Sequence, residues 1–250
     1  MAIIFHQVSY EYSPNTPFSY PALKDIDLEF SLGKMTAIIG ATGSGKTTLV
    51  QHLNALLLPT SGSLEVNDRK IVAKEKPKNF GINEEEANNL AKRALNEVGI
   101  EPDYYERSPL DLSGGQKRRV AIAGILAMNP EVLVLDEPTA GLDPEGTKTM
   151  MGLFNKFKTE QHKTILLVTH DMEQVMNYCD EVVVIKDGRV LIKSKTQDFF
   201  SDDQLLDKAE IEPPALIKLQ QLLSEKGLKL PKRYLSNETF INELVSRYRK

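Results

Sequence analysis

Short apolar runs rich in valine and isoleucine recur along the chain, and segments with apolar residues at helical spacing separate them. Four of these runs have the length and composition of buried strands, namely residues 35–39, 131–135, 164–169 and 181–185. Helices are predicted between them, at residues 45–55, 145–159 and 172–178. This alternation predicts a parallel sheet that is covered by helices on both faces.

Two other regions show the pattern of antiparallel strands. Residues 3–10 and 26–30 flank a turn region rich in proline, serine and asparagine, which predicts an antiparallel pair near the start. Residues 182–186 and 189–193 flank an Asp-Gly pair, which is a strong hairpin signal. The sequence therefore predicts an α/β fold with a mixed core sheet and an N-terminal antiparallel subdomain.

The remaining segments are helical in pattern. A helix over residues 83–98 is predicted to start at an Asn83 cap and belongs to a helical insert at about 82–128. After residue 200 the chain changes to short amphipathic segments, with helices predicted at 215–223 and 237–248. We therefore divide the chain into a domain at 1–200 and a helical C-terminal extension at 201–250.

Composition narrows the class of protein. The 31 basic and 35 acidic side chains nearly balance, which gives no general case for nucleic-acid binding. Cys179 is the only cysteine, so an intrachain disulfide is excluded, and we interpret it as a small buried hydrophobic residue. No apolar run approaches the roughly 20 residues that a membrane-spanning helix needs. Any role at a membrane is therefore expected to depend on a partner.

A phosphate-binding loop is predicted where the strand at 35–39 meets the helix that follows it. The pattern is Gly, four residues, Gly, Lys and Thr, and its backbone N–H groups enclose phosphate oxygens at a helix N-terminus. Lys46 supplies a positive charge for the β- and γ-phosphates, and Thr47 offers its hydroxyl to Mg²⁺. The other predicted nucleotide contacts are Gly40, Thr42, Gly43, Ser44, Gly45 and Thr48. The alternative is a glycine-rich turn that binds nothing.

An acidic pair follows the apolar strand at 131–135. Ligands of open α/β sheets collect at the C-terminal ends of strands, where Asp136 and Glu137 are predicted to lie. Asp136 is placed to hold Mg²⁺ directly or through water, and Glu137 is the candidate general base for an attacking water. Without the phosphate loop, an ordinary exit from a strand into a loop would be the favoured interpretation.

A third motif lies between these two and consists of Leu112 followed by Ser113, Gly114, Gly115 and Gln116. Alone it would indicate a helix start that Ser113 caps. Its place in the order makes the chain resemble the ATP-binding-cassette family, whose signature reads Leu-Ser-Gly-Gly-Gln. Four further matches extend the resemblance over about residues 1–195: Tyr12, residues 118–123, the loop 138–143 that ends in Asp143, and His170.

The resemblance implies two cassettes that face head to tail. Ser113, Gly114 and Gly115 would then act on the ATP of a partner, together with Gln116 of the same signature. The residues implied to act on this chain's own ATP are Lys46, Thr47, Asp136, Glu137 and His170, and Tyr12 would stack on adenine. The loop that ends in Asp143 would cross the dimer interface. The alternative for His170 is an ordinary surface or core histidine with no role in catalysis. The alternative for the tyrosines is that Tyr10 or Tyr12 belongs to the core.

One feature of the family is missing. The family has a glutamine loop between the phosphate loop and the signature, but no glutamine occurs between Gln51 and Gln116. This stretch is also several tens of residues shorter than the resemblance leads us to expect, with a join near residues 77–81. Our hypothesis is that a segment containing this loop and a core strand has been lost from the sequence. The alternative is a natural shortened form with impaired coupling.

Within the family, the chain resembles the ATPases of energy-coupling factor importers, which take up vitamins or transition-metal ions. The residues that carry this resemblance are 51–57, 107–109, 118–124 and the tail 214–248. It is closer to the second of the two paralogous ATPases, which implies a heterodimer, with a homodimer as the alternative. A transmembrane coupling subunit and a membrane substrate-binding subunit are also implied, at the cytoplasmic face of the membrane.

Three alternatives remain open at this point. The chain could serve another transporter of the same family, could bind ATP with impaired hydrolysis, or could be a soluble family member that acts on nucleic acid or ribosomes. The C-terminal extension is expected to add contact between two ATPases. Its alternative is a solvated extension that packs only on its own cassette.

Overall fold

A computed structural model describes residues 3–66, 69–70, 83–228 and 230–248 of the 250-residue chain. Two β-sheets form its framework, one with four strands and one with five. Their strands are β1 (Ile3–Tyr12), β2 (Tyr20–Phe30), β3 (Met35–Ile39), β4 (Ser61–Val66), β5 (Arg69–Lys70), β6 (Val132–Asp136), β7 (Thr164–Val168), β8 (Glu181–Lys186) and β9 (Arg189–Lys195).

The four-stranded sheet is antiparallel and has the order β2-β1-β4-β5. Apolar side chains of β1, such as Ile3 and Phe5, are buried, and Phe5 makes an edge contact with Phe30 of β2. The predicted antiparallel pair is confirmed. Both of its strands are longer than predicted because pairing continues to Tyr12 and Tyr20, which lie opposite each other.

The five-stranded sheet has the order β6-β7-β3-β8-β9, and its first four strands are parallel. β9 pairs antiparallel with β8 through a tight turn at Asp187 and Gly188, which both have positive φ. Such a turn matches the twist of the two strands. β3 and β7 are buried at every position, as expected for strands covered on both faces. The predicted mixed core sheet is confirmed.

Nine α-helices and two short 3-10 helices connect and cover the strands in the described part of the chain. The α-helices are α1 (Lys46–Leu53), α2 (Glu84–Glu97), α3 (Gly114–Leu126), α4 (Pro144–Gln161), α5 (Met172–Tyr178), α6 (Thr196–Ser201), α7 (Asp203–Ala209), α8 (Ala215–Glu225) and α9 (Asn237–Tyr248). The 3-10 helices span Pro102–Tyr104 and Pro109–Asp111. The predicted cap of α2 is confirmed, since Asn83 Oδ1 accepts from Glu86 N at 2.8 Å. No described helix is long and apolar enough to cross a bilayer.

The C-terminal extension packs on the body of the chain. Leu206, Ile217 and Phe240 of the extension are buried and share one apolar core with Met35 of the central strand. Gln220 is also buried, and its side chain bonds both the N–H and the carbonyl of Tyr234. The extension therefore packs on its own cassette. Its predicted contact with a second ATPase stays a prediction.

Cys179 lies in the same core. Its thiol is buried, and burial raises its pKa to about 12 because the thiolate is poorly solvated there. This agrees with the interpretation of Cys179 as a small hydrophobic residue.

The predicted join at residues 77–81 lies outside the described residues, which end at Lys70 and resume at Asn83. Among the strands that the structure describes, β6 pairs only with β7. Val132 and Val134 of β6 are only half-buried, whereas the residues of β7 are buried throughout. Parallel strands are usually covered more completely. This edge is consistent with a lost neighbouring strand, which stays a prediction.

Candidate nucleotide site

The phosphate loop connects β3 to α1 and requires glycine at two tight positions. Gly40 has φ 145°, and a Cβ there would lie 2.1 Å from the carbonyl oxygen of Ile185. Gly45 has φ 107°, and its Cβ would lie 2.7 Å from the carbonyl oxygen of Ala22. Because Gly45 takes this conformation, α1 starts one residue later than predicted. Ser44 Oγ in the same loop is buried and bonds to no described residue, as expected of a group that binds a ligand.

Lys46 lies within reach of both the loop and the acidic pair. Its Nζ donates to the carbonyl oxygens of Gly40 and Ala41, both at 2.8 Å. Burial lowers the pKa of the Lys46 ammonium, and the nearby charges of Glu137 and Asp136 oppose that change. The structure thus places the positive charge between the loop and the two carboxylates.

The two residues predicted to hold Mg²⁺ are brought together. Asp136 ends β6, and its carboxylate lies within reach of the Thr47 hydroxyl. Burial is the main cause that raises the pKa of Asp136, followed by the charge of Glu137, while Lys46 and Thr47 oppose it. A hydroxyl and a carboxylate are hard oxygen donors, which suit Mg²⁺ when phosphate oxygens and waters complete its shell.

Glu137 and His170 contact each other directly. His170 Nδ1 lies 2.8 Å from Glu137 Oε1. Glu137 has φ 46°, in the left-handed region that few non-glycine residues adopt, and its N–H donates to Val168 O at 3.0 Å. Such backbone strain clusters at functional sites. The adjacent strands β6 and β7 therefore deliver both side chains to one edge of the sheet.

Tyr12 lies at the outer end of an aromatic row. Its hydroxyl is 3.2 Å from Thr48 Oγ1 in α1. Tyr10 packs edge-on between Tyr12 and the buried His52, with ring centroids 4.9 and 5.0 Å apart. Tyr10 is thus the inner residue and Tyr12 the accessible one. Stacking of adenine on Tyr12 stays a prediction.

Tyr20 also lies at the candidate site, although the sequence did not predict it there. Its hydroxyl donates to Gly43 O at 3.4 Å, and its ring lines a small cavity of about 160 Å³ beside Lys46 and Thr47. The pairing of Tyr20 with Tyr12 brings it there. The sequence contains no signal for this, because the length of the intervening loop does not reveal the register.

The signature lies in a different place from the phosphate loop. Ser113 Oγ accepts from Gln116 N, and Gln116 Oε1 accepts from Ser113 N, so the two residues form a capping box at the start of α3. Gly115 and Asp143 line a cavity of about 630 Å³, while the loop Gly40–Ser44 and His170 line another of about 680 Å³. No residue of the signature lines the cavity at the phosphate loop. Asp143 Oδ1 also caps α4 by accepting from Gly146 N at 2.8 Å.

The start of the C-terminal extension also reaches the phosphate-loop cavity, which the sequence did not predict. Residues 209–215 line one wall of it. Lys186 Nζ and Glu210 Oε1 are 2.6 Å apart, and Ala215 N donates to Glu173 Oε1 at 2.8 Å. The extension is therefore tied to β8 and α5, which both contribute residues to the lining of this cavity.

Comparison with known proteins places this geometry in a family. The family model described as "ABC transporter" matches residues 23–140. A relative from Spiroplasma kunkelii is 46% identical over 263 residues, covering 91% of this chain and 86% of the relative. One from Bacillus thuringiensis (strain Al Hakam) is 42% identical over 285 residues, covering 100% of this chain and 97% of the relative. Both are named energy-coupling factor transporter ATP-binding protein EcfA2.

Solved structures show the same relationship. CbiO1 from Clostridium perfringens, part of the ABC transporter complex CbiONQ, has a TM-score of 0.72 and 32% identity and covers 88% of this chain and 98% of its own. A dimeric ATP-binding cassette in a post-hydrolysis state with ADP and phosphate has a TM-score of 0.68 and 25% identity, with coverages of 78% and 98%. The chain therefore belongs to the family of ATP-binding proteins of energy-coupling factor transporters, within the ATP-binding-cassette ATPases.

Proposed function

We propose that the chain binds MgATP at its phosphate loop and hydrolyses it with Glu137 as the general base. The observation that carries this proposal is the convergence of three features at one edge of the sheet: Lys46, the Thr47 hydroxyl beside the Asp136 carboxylate, and the Glu137–His170 contact. These groups come from three separate strand ends, and they match the needs of phosphoryl transfer, in which positioning and charge stabilisation dominate.

Each residue has a distinct task in this proposal. The amides of the loop and Lys46 bind the β- and γ-phosphates, and Thr47 and Asp136 would hold Mg²⁺, which neutralises phosphate charge when bound. Glu137 accepts a proton from the attacking water. His170 orients the Glu137 carboxylate through their 2.8 Å contact and is accessible to the γ-phosphate, since its side chain is 82% exposed.

We further propose that the signature acts on the ATP of a second cassette. In support, Ser113 is exposed and the signature lies outside the phosphate-loop cavity of its own chain. The dimeric cassette among the similar structures also supports it. Gly114 and Gly115 would then present their N–H groups to the partner's γ-phosphate, and Asp143 would lie near the interface.

Ser113→Asp tests this arrangement. Aspartate caps a helix as well as serine does, so α3 should be retained, but its charge would face the partner's phosphates. We expect the affinity of the monomer for MgATP to stay within about twofold of wild type, the usual range for a substitution at an exposed position. The dimer that MgATP induces should no longer be detected by light scattering. Ser108→Asp is the control, because Ser108 also caps a helix and is exposed. Dimerisation of Ser113→Asp at the wild-type ATP concentration would contradict the proposal.

The cellular role we propose is to power an importer of vitamins or transition-metal ions at the inner face of the membrane. The full-length similarity to energy-coupling factor ATP-binding proteins and the likeness to CbiO1 support it. The proposed partners are a paralogous ATPase, a transmembrane coupling subunit and a membrane substrate-binding subunit. We propose no nucleic acid as a partner, because basic residues do not outnumber acidic ones in the sequence.

Capture of the tagged full chain from detergent-solubilised membranes tests this role. We expect a second cassette and at least one membrane protein to co-purify, and the complex to hydrolyse ATP faster than the chain alone. The matched control is the variant Leu219→Ser, which changes an exposed residue of the extension without touching the nucleotide site; it should still hydrolyse ATP. Capture of RNA or of the chain alone would contradict the transport role.

A second candidate is an ATP-binding module with impaired hydrolysis. It is favoured by the lack of a glutamine between Gln51 and Gln116. The match to the Bacillus thuringiensis relative runs over 285 residues, 35 more than the 250 of this chain, so the relative has residues that this chain lacks. Turnover measured with and without the membrane partners separates the two candidates, because the module would bind ATP without hydrolysing it in either case.

A further inference from the structure

A buried network of hydrogen bonds joins the two loops that carry Glu137 and His170. The Thr139 hydroxyl lies 3.1 Å from Gln174 Oε1 and 2.9 Å from Gln174 Nε2, and Nε2 also donates to Asp171 Oδ2 at 2.8 Å. Thr139 and Gln174 are each only 6% exposed. One side-chain amide thus bridges two loops that are more than 30 residues apart in sequence.

Both ends of this network lie next to the reacting groups. Thr139 is two residues after Glu137, in a turn where Ala140 N donates to Glu137 O at 3.2 Å. Asp171 directly follows His170, and its Oδ1 accepts from Gln174 N at the start of α5. Any shift of Gln174 would therefore move the backbone on which one or both side chains are mounted.

The Glu137–His170 pair depends on such support. The His170 side chain is 82% exposed, so little packing holds it in place, and Glu137 has an unfavourable positive φ. An exposed pair of this kind gains little from its own attraction. Its geometry must then come from the buried groups beneath it.

We propose that Gln174 is a positioning residue that sets the geometry of Glu137 against His170 through Thr139 and Asp171. This inference rests on the roles proposed above for Glu137 and His170. An apolar pair of the same shape would stabilise a buried contact about as well, so stability alone gives no reason for amide and hydroxyl groups here. Directional bonds, in contrast, define one relative placement of the two loops.

Two substitutions remove the bridge with little change in shape. Gln174→Met and Thr139→Val are each expected to lower kcat for ATP by about tenfold and to change KM by less than about twofold, because ATP is bound elsewhere. Thr139→Ser keeps the hydroxyl and should restore wild-type kcat. The double variant should be no slower than the slower single variant, since both break the same contact.

Gln220→Met is the matched control for a merely structural effect. Gln220 is 3% exposed and also makes two side-chain bonds to one partner, Tyr234, but in the C-terminal extension. We expect Gln220→Met and Gln174→Met to lower the Tm by similar amounts, but Gln220→Met should leave kcat unchanged. Equal loss of kcat in the two variants, or wild-type kcat in a folded Thr139→Val, would overturn the inference.

A test in the Glu137→Gln background separates this inference from the proposed function. If Gln174 acts by positioning Glu137, adding Gln174→Met to Glu137→Gln should not lower the residual turnover further. Wild-type turnover in Glu137→Gln alone would refute the role of Glu137, and the inference with it. If Glu137→Gln turns over slowly but Gln174→Met has the same kcat as Gln220→Met, only the inference about Gln174 is refuted.

Discussion

Replacing Glu137 by glutamine is expected to lower ATP turnover by about 10²–10⁴-fold, the usual contribution of a general base. Glutamine keeps the shape and can still contact His170, whose Nδ1 lies 2.8 Å from Glu137 Oε1, but it cannot accept a proton from water. ATP binding should persist because Lys46, Thr47 and Asp136 remain. Dimers that form on ATP should therefore accumulate, since hydrolysis no longer releases them.

Single-turnover hydrolysis and light scattering with MgATP measure these two effects. Glu225→Gln is the matched control, because Glu225 is an exposed carboxylate in α8 that contributes nothing to the site. It should hydrolyse ATP at the wild-type rate. If Glu137→Gln turns over ATP within a few-fold of the wild-type rate, Glu137 is not the general base. The assignment of the phosphate loop would not be affected by that result.

Replacing Lys46 by methionine is expected to weaken ATP binding by about 10–100-fold and to reduce turnover below detection. Methionine keeps most of the aliphatic stem but loses the charge that lies between the loop and the two carboxylates. A hydrogen bond to a charged group contributes roughly 1.5–3 kcal/mol, and each 1.4 kcal/mol is about tenfold in affinity. The remaining carboxylates would also face the phosphates without a compensating charge.

Titration with a fluorescent ATP analogue measures the affinity, and thermal unfolding without nucleotide shows whether the loop stays folded. Lys148→Met is the control, since Lys148 is exposed on α4. Its affinity for ATP should equal that of wild type. An unchanged affinity in Lys46→Met would mean that the phosphates bind elsewhere, and the site assigned here would be wrong.

Local motifs explain why much of the site was predictable. The phosphate loop depends on glycines, a lysine and a threonine within nine consecutive residues, and the two tight glycines at 40 and 45 are required by neighbouring carbonyls. Asp136 and Glu137 follow a strand whose apolar composition is evident in the sequence. Most of the predicted elements were located for the same reason, with ends that differ by one or two residues. The start of β2 was missed by six residues, however, and β4, β5, α6 and α7 were not predicted.

Other parts of the site depend on contacts between distant segments. Tyr20 reaches the loop only because β1 and β2 pair in one particular register. Residues 209–215 line the cavity at Gly40–Ser44 and His170 because the C-terminal extension packs back on the body of the chain. Neither fact follows from residue type or spacing.

The local elements, the phosphate loop, the acidic pair and their order could be predicted from residue patterns, because short-range sterics and hydrophobic periodicity act over a few residues. The order of the strands in the sheet is a property of the folded chain. That order brings Glu137 into contact with His170 and lets Gln174 bridge their two loops. Such contacts result from the packing of the whole core, in which burial stabilises many pairings together. The chemistry of this protein is thus evident in its motifs, while their mutual alignment is a property of the fold.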